Sequence, residues 1–122
     1  MSAEVVQERV DILRQTILAL VRREGPDLSA RQLGVFLTCY LETDAQTVRG
    51  LARKLNVSKP VITRTLDRLS EFDLVRRKTD PLDRRSVLVQ RTAAGMRFLG
   101  DIKIMLSEAQ RTPGKVLHPI AV

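Results

Sequence analysis

Apolar side chains recur with two different periods along the chain, and the switch between them predicts the elements. Val6, Val10, Leu13, Ile17 and Leu20 follow one another at spacings of four and three, the stripe of an amphipathic helix, in a stretch from 3 to 24 that lacks Gly and Pro. Gly25-Pro26 is expected to end it. Val5, Ile12, Leu18 and Val21 widen the stripe beyond what packing on one small domain needs, so a helical partner is expected. Ser29 can cap a second helix over about 30–42, carrying Leu33, Phe36, Leu37, Tyr40 and Leu41.

Thr47 can cap a short third helix with Val48, Leu51, Ala52 and Leu55, and Asn56 suits the left-handed backbone of a tight turn. Ser58 is expected to cap a fourth helix, with Pro60 in its first turn. Ile62, Thr65, Leu66 and Leu69 lie on one face of that helix, and Lys59, Pro60, Thr63, Arg64, Asp67 and Arg68 on the others. From residue 74 the period changes: Leu74–Lys78 and Ser86–Gln90 have strand character around a polar stretch from Thr79 to Arg85, which predicts a hairpin. Thr92 then caps a last helix with Phe98, Leu99, Ile102, Met105, Leu106 and Ala109 on one face, ending near Arg111 before Pro113-Gly114.

Three helices, a tight turn, a helix, a hairpin and a helix make a mainly α fold with a small β wing, a winged helix-turn-helix. In 122 residues this is expected to be one domain: an N-terminal dimerisation-type helix (1–28), the winged core (29–91), a C-terminal helix (92–112) and an extended tail (113–122). With four aromatic residues in the chain, the core has to be aliphatic.

Charge changes the picture from fold to partner. Lys and Arg outnumber Asp and Glu by 21 to 14, and between Arg49 and Arg91 twelve basic residues face five acidic ones, while the rest of the chain is balanced at nine of each. The whole excess of +7 therefore falls on the helix-turn-helix and hairpin, which points to a polyanion rather than a solvated surface. A helix-turn-helix needs a small residue where its helices cross and apolar residues on both sides of the turn; Ala52 supplies the first, and Leu51, Leu55, Val57 and Ile62 around Asn56 the second.

The face opposite that packing is built for double-stranded DNA. Arg and Lys donate to guanine edges in the major groove and hydroxyls reach bases or phosphates, making Lys59, Pro60, Thr63 and Arg64 the candidates; Ser58 opens the helix where its amides can meet a phosphate, and Arg68 is placed for backbone. The hairpin brings Arg76, Arg77 and Lys78, then Arg84 and Arg85 at its tip, and an arginine on such a tip suits the narrow, electronegative minor groove of A·T-rich DNA. Asp83 is spaced to pair with Arg85 and direct it.

The segment Thr47–Leu69, the wing Asp80-Pro-Leu-Asp-Arg-Arg-Ser86, and Leu88-Val-Gln-Arg-Thr92 with Gly95 resemble the MarR family of bacterial regulators over roughly residues 29–100. The resemblance implies a homodimer, joined through residues 3–24 and 93–111, on a pseudo-palindromic operator, usually repressing transcription. It leaves open a small-molecule effector. Family members usually continue into a further C-terminal helix, whereas here the helical pattern stops at Arg111.

The remaining chemistry-bearing residues are sparse. Cys39, the sole cysteine, sits among Phe36, Leu37, Tyr40 and Leu41, where a buried, inert thiol is expected. His118 is a lone histidine in the tail, so neither a metal site nor a cofactor is expected. The carboxylates lie scattered among basic residues without a nucleophile-base set or a phosphate-binding glycine loop, which argues against an enzyme. No apolar run reaches membrane-spanning length, so a soluble, cytoplasmic, nucleoid-associated protein is expected. Two other functions compete with the regulator: a winged-helix adaptor that docks on another protein through apolar terminal helices, and a sequence-neutral nucleoid-associated protein.

Overall fold

The computed structural model describes residues 1–111; the expectations for the tail at 113–122, including His118, lie outside the described residues. In chain order the elements are α1 (Ala3–Arg22), α2 (Ala30–Leu41), α3 (Val48–Leu55), α4 (Lys59–Glu71), β1 (Val75–Thr79), β2 (Val87–Arg91) and α5 (Ala93–Arg111). The chain divides into two compact units, one of residues 28–99 and one of residues 1–27 with those from 100 onward.

The central unit is assembled on caps that the sequence supplies. Ser29 and Gln32 form a reciprocal capping box at the start of α2, which satisfies two amides that a helix start otherwise leaves without partners. Thr47 accepts from the Gly50 amide at the start of α3, and Asn56 ends that helix at φ 55°, ψ 48°, the left-handed turn that the motif requires. Val35, Phe36, Leu51, Ile62, Leu66, Leu69 and Val75 are fully buried. Phe36 lies 4.5 Å from the Tyr40 ring and 5.1 Å from the Phe98 ring, centroid to centroid, so three of the four aromatic residues gather in an otherwise aliphatic core.

The two strands pair antiparallel from Val75 opposite Arg91 to Thr79 opposite Val87. Each begins one residue later than the sequence suggests. Leu74 is buried but belongs to the turn after α4: Asp73 takes φ 55° and the Leu74 amide donates back to the Leu69 carbonyl, so Leu74 closes the helix end instead of entering the sheet. At the far end of β2, Arg91 reaches from the hairpin to the last turn of α2, where Nε donates to the Cys39 carbonyl at 2.9 Å and Nη2 to the Glu42 carbonyl at 2.7 Å. A cation thus satisfies carbonyls that the helix end leaves without partners.

Thr92 connects hairpin to α5. Its hydroxyl accepts from the Gly95 amide and donates to the Asp73 carbonyl, while its own amide donates to the Tyr40 hydroxyl.

In the other unit, α1 is capped by Ser2 and stops at Arg22, earlier than Gly25-Pro26, because Arg23 is already extended. Arg23 pairs with Asp101 at 3.1 Å. Among the described residues much of the α1 stripe stays open: Val6, Val10, Leu13 and Ile17 are each between 45% and 57% exposed.

Candidate nucleic-acid interface

Helix α4 presents two unlike faces. Ile62, Thr65, Leu66 and Leu69 are buried, and Lys59, Pro60, Thr63, Arg64, Asp67 and Arg68 are exposed, as the 3.6-residue period requires. On the α3 side, Leu51 and Ala52 are buried, Leu55 and Val57 half-buried and Asn56 exposed, so these five with Ile62 form the packed joint of the helix-turn-helix.

One expectation for this helix is corrected. Ser58 occupies the N-cap position with extended backbone, φ −75° and ψ 158°, but its side chain makes no capping hydrogen bond. The first turn already contains Pro60, which has no amide to satisfy. The exposed Ser58 hydroxyl and the opening amides of α4 are left available to an outside acceptor.

An open groove of about 520 Å³ runs along the joint, lined by Arg49 and Arg53 from α3 and by Asn56, Ser58 and Lys59. Arg49 and Arg53 were not singled out by sequence reasoning. Their signal was present: both sit opposite Leu51 and Leu55 on a short amphipathic helix, on the solvent side of the joint. Lys54, the residue after Arg53, is instead engaged within the protein, donating to Gln46 Oε1 at 2.8 Å and lying 3.7 Å from Glu42.

The basic residues fall into two groups by pairing. Among the described residues, Arg49, Arg53, Lys59, Arg64, Lys78 and Arg84 make no ion pair, whereas Arg68 pairs with Glu71 at 2.8 Å and covers the Phe72 ring at 4.5 Å. Arg76 approaches Asp73 at 3.5 Å, and Arg77 joins Asp67 at 2.5 Å. The Arg77–Asp67 pair links β1 to the exposed side of α4.

At the hairpin tip the two aspartates act on the backbone. Asp80 Oδ1 accepts from the Leu82 amide and Asp83 Oδ1 from the Arg85 amide, two local turns that fix the tip, while the Asp83 carbonyl accepts from the Ser86 amide. Asp83 Oδ1 is also 3.5 Å from Arg85 Nε, and the Arg85 side chain is 92% exposed.

Cys39 is buried, and its thiol is pushed up to about 11 by burial, which outweighs the opposing charges of Arg91 and Lys54. Among the described residues no cluster of His, Cys, Asp and Glu could hold a metal ion, and no helix is long and apolar enough to cross a membrane.

Two helices joined at a left-handed Asn, the second with a basic outer face, followed by an arginine-tipped hairpin, define a winged helix-turn-helix protein. Residues 28–87 match the MarR family model and form a MarR-family domain. A search of curated proteins finds no match. Among solved structures, a MarR-family transcriptional regulator from Rhodococcus sp. RHA1 is similar at 28% identity and TM-score 0.63, over 80% of this chain and 66% of that one. A transcriptional regulator from Thermotoga maritima shares 19% identity at TM-score 0.73, over 86% and 72%. S. aureus MepR, in a structure described as a MepR–DNA complex, shares 21% identity at TM-score 0.66, over 89% and 81%.

Proposed function

We propose that this chain is a sequence-specific regulator of transcription that binds double-stranded DNA as a homodimer on a pseudo-palindromic operator and represses. The observation that carries the reading is the outer face of α4: Lys59, Thr63 and Arg64 are exposed on a helix whose opposite side is buried, and neither cation is engaged by the protein's own carboxylates. Lys59 and Arg64 donate to base edges in the major groove, with Thr63 beside them. Ser58, the opening amides of α4, Arg49 and Arg53 hold the phosphate backbone on one side of the groove and set the register. Arg85 enters the adjacent minor groove from the wing, directed by Asp83, with Arg84 and Lys78 on the flanking phosphates. Arg68 and Arg77 take the lesser part, since carboxylates of the same chain hold them at 2.8 Å and 2.5 Å.

The dimer is supported by the open stripe of α1, since a row of four half-exposed aliphatic side chains is the kind of surface that a second copy covers. Residues 3–24 and 93–111 supply that interface. A two-fold axis would present two α4 helices to half-sites one helical turn apart, which is why the operator is expected to be pseudo-palindromic.

The test is selection of duplexes from a randomised pool, followed by anisotropy titration at two salt concentrations and light scattering. A palindromic winner bound by a dimer at least about 10³-fold more tightly than the pool supports the regulator. Uniform, salt-sensitive binding would replace it with a sequence-neutral nucleoid protein, and absence of binding at low salt with a protein adaptor.

A further inference from the structure

Leu82 is 95% exposed at the outer turn of the wing, more than any other large apolar side chain among the described residues. An exposed leucine on a loose loop would need no explanation, but this one is held. The Leu82 amide donates to Asp80 Oδ1 at 2.9 Å, the Asp83 amide to the Asp80 carbonyl at 3.2 Å, and the Asp80 amide to the Ser86 carbonyl at 2.9 Å, closing the base of the loop. Pro81 fixes φ at the first corner of the Asp80–Asp83 turn, leaving Leu82 at its second corner. Asp80 and Asp83 each accept from a backbone amide of the tip, and Asp83 also takes the Ser86 hydroxyl and faces Arg85, so both carboxylates are engaged within the tip and Leu82 stands beside two guanidinium groups, Arg84 and Arg85.

We propose that Leu82 is a DNA-contacting residue, an apolar edge that the wing presses against the sugar wall and base edges of the minor groove at the A·T-rich flank of each half-site. This rests on the DNA-binding reading above. The partner fits on three counts. Two exposed arginines directly after a held tip suit phosphates or the negative potential of a narrow groove. Deoxyribose walls are the apolar surface that lies between those phosphates, and aliphatic side chains of other proteins are used as wedges there. An A·T floor also lacks the guanine amino group that would meet a branched side chain, so Leu82 would favour A·T flanks by shape while making no hydrogen bond. The apolar contact makes a separate demand from the arginines, because removing it releases no counterion.

The experiment compares Leu82→Ala, Arg84→Ala and the unchanged protein on the duplex each binds best from a randomised pool, and on the same duplex with 2,6-diaminopurine replacing adenine at the flanking pairs. That base adds a minor-groove amino group and leaves the major-groove edge as it was. Leu82→Ala is expected to unfold at the same temperature, to bind the unmodified duplex about five- to tenfold more weakly, and to keep the slope of log K against log salt. The modified flank is expected to cost the unchanged protein several-fold more than it costs Leu82→Ala. Equal affinity of Leu82→Ala and the unchanged protein for a duplex that both bind specifically overturns the inference and leaves the regulator intact. A weakened Leu82→Ala whose salt slope flattens as for Arg84→Ala also overturns it, since the loss then belongs to displaced arginines. If the unchanged protein selects no duplex, it is the DNA-binding reading that fails.

Discussion

The Tyr40 hydroxyl lies over Gly95, donating to the Leu74 carbonyl at 2.6 Å and accepting from the Thr92 amide at 2.9 Å, in the space where any side chain on residue 95 would stand. One phenol thereby fastens the end of α2, the turn before the wing and the start of α5. A Cβ at residue 95 would meet both this hydroxyl and the Leu74 carbonyl oxygen, neither of which is the free end of a flexible side chain.

Gly95→Ala is therefore expected to destabilise by about 3 kcal/mol, the upper part of the range for overpacking, because backbone has to move. Tyr40→Phe keeps the ring but strands the Thr92 amide and the Leu74 carbonyl, for about 1–3 kcal/mol. Chemical denaturation measures both. Wild-type stability in Gly95→Ala would mean that the backbone around Leu74 yields easily.

Asn56→Gly is expected to be neutral within about 0.5 kcal/mol, and Asn56→Val to cost about 1–2 kcal/mol, because a β-branched residue resists φ 55° while Gly adopts it freely. Thermal unfolding of the two variants checks this. An equal loss in both would show that the Asn side chain, and not its backbone, is what the joint requires.

The helix-turn-helix was legible in the sequence because its demands are local: a cap at Thr47, a left-handed Asn56 and an apolar period in α4 each fall within a few residues. The wing was placed to within a residue, but the strands start late because Leu74 looks like the first of an apolar run, and only the return of α4 onto it shows that it closes a helix. Ser58 has the residue type of a cap without making the bond. What could not be read were the long-range pairings. Nothing in sequence spacing joins Arg77 to Asp67, Arg91 to the carbonyls of Cys39 and Glu42, or Tyr40 to Thr92, since each pair meets only when distant elements pack. Those pairings also decide which arginines remain for a partner.

Cys39 couples folding to alkaline pH. Its folded thiol titrates near 11 against 9.0 for an unperturbed thiol, so the folded state favours the neutral form. The associated stability is fully present below pH 9, and is lost as pH rises through about 11, because the unfolded chain ionises first. Replacing Cys39 by Ala should remove that part of the alkaline loss in a pH series of unfolding midpoints. At neutral pH, alkylation of the buried thiol should be slow and should accelerate in denaturant; rapid alkylation under native conditions would contradict its burial.

Arg64 and Arg84 should fail in different ways. Arg64, on the exposed face of α4 and in no ion pair, is placed to donate to a base edge, so Arg64→Ala is expected to cost about 1–3 kcal/mol on the preferred duplex and to relax preference at one base pair per half-site. Arg84, exposed on the wing, is assigned to phosphate in the proposed complex, so Arg84→Ala should weaken binding to all duplexes alike and reduce the salt slope by about one per wing. Asp67→Asn supplies the link between the two, because it releases Arg77 from its ion pair with α4. If that pair sets the wing relative to the recognition helix, the variant gains a cation yet loses discrimination between preferred and random DNA. Anisotropy titrations of the three variants on both DNAs separate these outcomes, and a loss on random DNA as large as on the preferred duplex for Arg64→Ala would remove it from base recognition.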